Sequence, residues 1–300
     1  TEKPVPIHGS PEYFEKFDFR NAAFLKAGPP YEFPESTGLS KQHRQFFNFP
    51  KMREIASRSE QDAFDIAAAL QEATENKVKQ IFDSLIQTTS KRHLCLSGGV
   101  FLNSVLTGKL YDWYGHIFDE IHVCPVAYDA GLAIGATQYL WHHVLENPRV
   151  KWKDSCTPYL GEIYGDESFY EMLANNDLHY ENVGDDKVLE LLKQQNIISI
   201  FRGPSESGRR ALGNRSILAD PRSPKMKDLI NEKVKHRQWF RPFAPSILRE
   251  RVSEWFEKDI DSPYMSFVIK FKEEVRDKVP AVVHFDGTAR LQTVTENDNK

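Results

Sequence analysis

Cysteine is scarce: Cys95, Cys124 and Cys156 are the only three in 300 residues, widely spaced and without a CxxC pair. That excludes a disulfide framework and makes a reduced, cytoplasmic compartment the simpler reading. No apolar run approaches the roughly 18 residues that a membrane span requires, so no membrane is expected as a partner. A charged-then-apolar leader is missing as well. Nor is one sign of charge in excess. The chain carries 39 Lys and Arg against 43 Asp and Glu, a formal net charge of −4 that offers no global attraction for nucleic acid. Internal repeats and low-complexity tracts are absent. The chain begins at Thr1 rather than Met and reads as a piece of a longer one.

What is present is ordinary in bulk and uneven in detail. Hydrophobic residues make up 40% and charged residues 27%, as in a soluble globular protein, and the length suits two domains. Residues 1–55 read as irregular, broken by Gly28, Pro29, Pro30, Pro34 and Gly38 and anchored by Phe14, Phe17, Phe19, Phe24, Tyr31 and Phe33. Ser59 followed by Asp62 predicts a helix start. Ala63, Ala67, Leu70, Thr74, Val78, Ile81 and Leu85 give that helix its apolar stripe. A strand is predicted over 93–97, a helix over 101–111, a strand over 120–124 and a helix over 129–144. This alternation argues an α/β domain with its site at the strand ends. Cys95 and Cys124 fall in strand-like runs as small core residues. A Pro- and Gly-bearing linker over 146–165 separates residues 1–155 from residues 156–300. In the second part helices are predicted over 188–193 and 226–235, and strands over 197–201, 244–248, 264–271 and 281–285. Scattered helices make it α+β.

Four constellations stand out. The first is SGGVFLN (97–103) on a strand-to-helix turn, where Gly98 and Gly99 admit backbone N–H groups to an oxyanion, or simply close a tight turn. The second is YDAGLAIGA (128–136). Its Asp129 reads as a helix N-cap or as a ligand for a metal beside phosphates, and Gly131 and Gly135 allow a backbone or an adenine ring to come close. The third spans residues 202–241, with eleven Lys or Arg against four Asp or Glu, a local charge of +7. Arg209, Arg210 and Arg215 stand beside glycines, and Lys235, Arg237 and Arg241 precede Pro242. Guanidinium groups set in such loops form forks aimed into a cavity and grip phosphate bidentately. A solvated basic face would intersperse Lys with Glu at helical spacing, and a nucleic-acid face would interleave exposed aromatics; both stay open as alternatives, and the prolines and small apolar residues between the arginines favour a folded pocket. The fourth is HFDGTARLQTV (284–294), a donor-rich turn in which Arg290 completes an anion clamp, Thr288 adds a hydroxyl and His284 transfers protons or serves structure.

These motifs, with GRRALGNRSILADPR (208–222) and VKHRQWFRPFAPS (234–246), occur in the order seen in NodU/CmcH-type carbamoyltransferases, and the chain resembles that family over roughly residues 60–295. The resemblance implies a partial ASKHA, actin-like ATPase-type α/β domain followed by an α+β YrdC-like domain, which is incomplete here. It implies an ATP-dependent O-carbamoyltransferase that forms carbamoyl adenylate from carbamoyl phosphate and passes the carbamoyl group to the hydroxyl of a small-molecule acceptor. By motif it assigns Lys235, Arg241 and Arg290 to the carbamoyl phosphate clamp with Arg237 beside them. Gly98, Gly99 and Asn103 fall to the nucleotide turn, and Asp129 to an iron, zinc or magnesium ion.

The family pattern is not complete. None of the ten histidines forms the family's His-x-x-x-His pair, so weak metal retention is expected, and Arg209 stands where the family commonly has proline. The rival readings are a threonylcarbamoyl-adenylate synthase acting in tRNA modification and a non-catalytic RNA-binding fragment. A homodimer is left open.

Overall fold

A computed structural model of the chain describes residues 49–149 and 158–296. They fall into two compact units, one ending at Lys91 and the other starting at Arg92.

The first unit contributes α1 (Phe49–Ala56) packed on α2 (Glu60–Ile86). Helix α1 corrects the expectation of irregular chain up to residue 55. Pro50 lies in its first turn, where the lost N–H has no helical partner anyway. The rest of that expectation, residues 1–48, lies outside the described residues. Helix α2 starts as expected, with Ser59 Oγ accepting the Asp62 N–H at 3.0 Å. Its buried face is different: Phe64, Ala69, Ala73, Val78 and Phe82 are buried, whereas Leu70 and Ile81 are 46% and 57% exposed. The helix is apolar on two sides, and a 3.6-residue period fixes the element without choosing the side.

The second unit opens with β1 (His93–Leu96), α3 (Ser104–Tyr114) and β2 (Glu120–Val123), a parallel β-α-β unit in the register Leu94 to Ile121 and Leu96 to Val123. Both strands alternate outward and inward, so Cys95 is exposed and Cys124 half-buried, against the expectation of core thiols. Next come α4 (Gly131–Tyr139), ending in a wide turn over Leu140–Val144, then α5 (Asp166–Asn175) and α6 (Asp185–Lys193). An antiparallel pair, β3 (Ile198–Phe201) and β4 (Arg215–Leu218), is followed by α7 (Lys225–Leu229), which widens over Ile230–Val234. The last sheet has the order β5–β7–β6, from β5 (Ser246–Leu248), β6 (Phe267–Lys270) and β7 (Thr288–Val294). The short α8 (Val252–Trp255) lies before β6.

The strand expected over 281–285 is not formed. Pro280 cannot donate to a ladder, and Pro280–Val282 make one tight helical turn before a hydrogen-bonded turn from His284 to Thr288. Helices α5 and α8 and strands β4 and β7 were not expected at all; β7 takes up most of the stretch read as a donor-rich turn, of which only the part from His284 to Thr288 turns.

The β-α-β unit and the last sheet share one core. On α3, Ser104 Oγ donates to the Met265 carbonyl at 3.2 Å and Thr107 Oγ1 donates to that of Ser266. A Cβ on Gly108 would stand 2.1 Å from the Val268 carbonyl oxygen, so the helix lies directly on the backbone of β6. Leu106, Leu110, Ala289, Leu291 and the stacked pair Phe256–Phe271 are sealed beneath it.

Candidate functional site

The cationic segment does fold inward. Lys235, Arg237, Arg241, Arg210 and Arg290, drawn from three separate stretches of chain, line one cavity of about 850 Å³, and Arg202 and Arg209 line it too. None of its lining residues is Asp or Glu. Lys235, Arg241, Arg202 and Arg209 are exposed at the rim, and Arg210, Arg237 and Arg290 lie deeper.

Arg290 is the most confined. It sits on β7 opposite Val268, and its Nε is buried with no hydrogen-bond partner among the described residues. Burial, with Arg210 and Arg237 nearby, pulls its pKa down to about 10. Burial likewise lowers Arg210 and Arg237, the latter with help from Arg241. Guanidinium groups crowded together without a carboxylate are poised for an anion.

Two polar side chains, one buried and one half-buried, hold the loops that carry these cations, and neither was singled out by the sequence. Asn231 is 1% exposed. Its Nδ2 donates to the carbonyls of Trp239 (3.3 Å) and Arg241 (3.0 Å), and its Oδ1 accepts from Arg237 Nε (2.7 Å). One amide thus fixes the loop from Lys235 to Arg241. Glu206 holds the other loop: its Oε1 accepts the N–H groups of Leu212 (2.7 Å), Asn214 (3.0 Å) and Arg215 (3.3 Å). Burial pushes its carboxyl up, but these N–H donors outweigh it and the net shift is downward. A carboxyl lowered by folding adds stability above its unfolded value, which is lost as pH falls through the folded one. Glu206→Gln is therefore expected to flatten the fall in stability below about pH 4.3, read by urea unfolding across pH. Asn–Arg and Glu–loop pairs several residues apart are the signal that would have found both.

The arginine loop also touches the β-α-β unit. Arg210 donates to the Leu102 carbonyl at 2.9 Å and to Ser104 Oγ at 3.3 Å. The Arg209 guanidinium lies 4.4 Å from the Tyr128 ring centre, and a Cβ on Gly208 would meet the Pro125 carbonyl oxygen at 2.6 Å. Gly98, Gly99, Asn103, Asp129 and Gly131 thus neighbour this loop without lining the cavity. Gly98 has φ +110° and open space where a Cβ would stand, but its N–H is spent on the Ala127 carbonyl at 2.7 Å. Asn103 caps α3, its Oδ1 accepting the Leu106 N–H at 3.2 Å. Gly131 is needed for packing, since a Cβ there would stand 2.2 Å from the Val126 carbonyl oxygen. The expected N-cap at Asp129 is displaced: Ala130 flanks α4 and makes no side-chain cap. Asp129 is exposed, and the described residues hold no group of three His, Cys, Asp or Glu arranged for a metal.

Three further candidates are committed elsewhere. Arg215 donates to the carbonyls of Arg202 (2.6 Å) and Gly203 (3.2 Å) and lies over the Phe201 ring, away from the cavity. Thr288 Oγ1 donates to Asp286 Oδ1 at 2.6 Å, which leaves it to accept from His284 Nδ1 at 3.1 Å. Burial lowers the His284 pKa; Arg290 and Lys227 push the same way, while Asp286 and the Phe243 carbonyl oppose them. Through its contact with Thr288, His284 braces the turn before β7.

Known proteins share this arrangement of motifs. Sequence models of the carbamoyltransferase N-terminus and C-terminus match residues 20–138 and 189–300, in that order. The chain belongs to the carbamoyltransferase family. Among its relatives are nodulation protein NolO of Bradyrhizobium diazoefficiens, 40% identical over 78% of this chain and 44% of that protein, and nodulation protein U of the same organism, 34% identical over 84% and 42%. An uncharacterized protein of a Synechocystis strain is 35% identical over 97% of this chain and 53% of its own length. The chain thus spans about half, or less, of the curated relatives it matches. This carbamoyltransferase-family chain has both family halves in part, and its cavity is lined by residues of the matched C-terminal region together with Tyr159. No described helix is long and apolar enough to cross a membrane.

Proposed function

We propose that the cavity binds carbamoyl phosphate, and that the chain is the donor-handling part of an ATP-dependent O-carbamoyltransferase with an ASKHA-like and a YrdC-like domain. The observation that carries this is the convergence of Lys235, Arg237, Arg241, Arg210 and Arg290 on a space without one carboxylate. A doubly charged phosphate relieves their mutual repulsion. In return, the cations draw electron density from the ester oxygen, so the carbamoyl carbon becomes a better electrophile and phosphate a better leaving group. Arg290 and Arg237 grip from the floor; Lys235 and Arg241 close over the exposed side.

ATP supplies the adenylyl group when bound. The rim cations Arg202 and Arg209 suit its phosphates, and the Gly98–Gly99 turn lies on the side to which Arg209 and Arg210 reach. Water displaces phosphate from the carbamoyl carbon to leave carbamate, and a carbamate oxygen attacks the α-phosphorus of ATP with loss of pyrophosphate. The carbamoyl group of the resulting carbamoyl adenylate then passes to the hydroxyl of a small acceptor, with release of AMP.

The test is pyrophosphate release from ATP by the purified chain with carbamoyl phosphate, or with threonine and bicarbonate. Release that depends on carbamoyl phosphate supports the proposal. Release with threonine and bicarbonate alone would transfer the chain to the threonylcarbamoyl-adenylate synthases.

A further inference from the structure

Carbamoyl phosphate has two ends, and the cations meet only one. Its phosphate accepts hydrogen bonds, but its carbamoyl NH2 donates them, and a donor group taken out of water needs an acceptor. The side chains named so far offer this end nothing but further donors.

Gln292 is different. It lines the same cavity, is only 6% exposed, and stands two residues beyond Arg290 on β7. Alternation along a strand places the two side chains on one face, their Cβ atoms about 7 Å apart. The Nε2 of Gln292 donates to the Leu212 carbonyl at 3.1 Å, which fixes the amide's orientation, because the reversed amide would set two oxygens against each other. Its Oε1 is thereby turned the other way. That oxygen accepts no hydrogen bond among the described residues, yet it is not one of the sealed unpartnered atoms. Gln292 lines the cavity, so an unsealed oxygen on this side chain is available to a ligand there.

Other acceptors are less suited. The Leu212 carbonyl already serves both Gln292 and Tyr159 Oη, the latter at 3.1 Å. Ser216 Oγ accepts the Gly213 N–H at 2.9 Å. Asn214 donates through Nδ2 to the Pro204 carbonyl and also has an uncommitted oxygen, but its amide lies against Gly203, just ahead of β4 and off the Arg290 strand.

We propose that Gln292 Oε1 accepts a hydrogen bond from the carbamoyl NH2 and makes the site selective for carbamoyl phosphate over acyl phosphates that have a methyl group at that place. The inference rests on the donor-site reading above and deepens it. A site built to bond an N–H discriminates against a ligand lacking it, because its own buried acceptor is then left unpaired.

The experiment is calorimetric titration of the whole chain with freshly prepared carbamoyl phosphate, acetyl phosphate and inorganic phosphate. The unmodified chain is expected to prefer carbamoyl over acetyl phosphate by roughly 10- to 100-fold. Gln292→Met keeps the volume and removes the acceptor. It is expected to bring that ratio below about 3 while inorganic phosphate affinity stays within about 3-fold. Gln292→Leu, which likewise removes the acceptor, is expected to lower the ratio in the same way, and it serves if the methionine variant does not fold. Equal binding of the two acyl phosphates by the unmodified chain, or an unchanged ratio in Gln292→Met or Gln292→Leu, overturns the assignment. So does collapse of the ratio in Asn214→Ala alone. If inorganic phosphate does not bind at all, the donor-site reading itself fails, which distinguishes the two failures.

Discussion

Replacing Arg290 by methionine is expected to weaken phosphate and carbamoyl phosphate binding by roughly 10- to 150-fold, the worth of one charge-assisted contact, and at the same time to raise the melting temperature of the ligand-free chain. The two effects have one cause. Arg290 is held among Arg210 and Arg237 in a largely buried position, and its pKa is pulled down from the ordinary guanidinium value to about 10. A drop of that size corresponds to on the order of 3 kcal/mol of differential interaction against the charged form. For a base lowered by folding, that cost is present at neutral pH, where the group is charged in both states, and it fades only above the folded value. Methionine fills most of the volume without the charge. Thermal melts with and without 10 mM-range phosphate check both halves: the unmodified chain should gain stability from the anion and the variant should not. A variant that melts lower and still binds phosphate would remove the electrostatic account.

Asn231→Leu should be the most destabilising single change in the cationic segment. Leucine has a similar size but strands the Trp239 and Arg241 carbonyls and Arg237 Nε, all served by one amide. Leaving several polar groups unpaired costs about 1–3 kcal/mol each where they are buried, so a loss of about 2–5 kcal/mol in urea unfolding is expected. Phosphate affinity should fall by about tenfold in whatever folds, because Arg237 and Arg241 repel each other once the loop is untied. No residue that touches the ligand is altered, so a change in affinity reads the positioning alone.

Both variants concern residues whose neighbours the linear sequence separates. The β-α-β pattern, the Ser59 cap and most strands were legible because alternation, capping and glycine breaks are local signals. The exceptions have local reasons too. Residues 281–285 read as a strand, but Pro280 turned the chain into a tight helical turn. Cys95 and Cys124 read as core, yet each strand of β1 and β2 has only one covered face. Arg215 sits in the same arginine-rich motif as Arg210. Only the hairpin geometry directs it to the carbonyls of Arg202 and Gly203 instead of the cavity. Nothing in the composition distinguishes the two.

By itself, the sequence determined the family, the mixed α/β character and the presence of a dense cluster of guanidinium groups with a local charge of +7. These follow from residue order and periodicity, which need no partner to be read. Tertiary structure alone decided which of those charges face one another, that Asn231 and Glu206 hold them there, and that Gln292 offers an open acceptor beside Arg290. The physical reason is range: propensity and capping act over a few residues, whereas charge crowding and hydrogen-bond satisfaction depend on groups that only chain folding brings within about 3 Å.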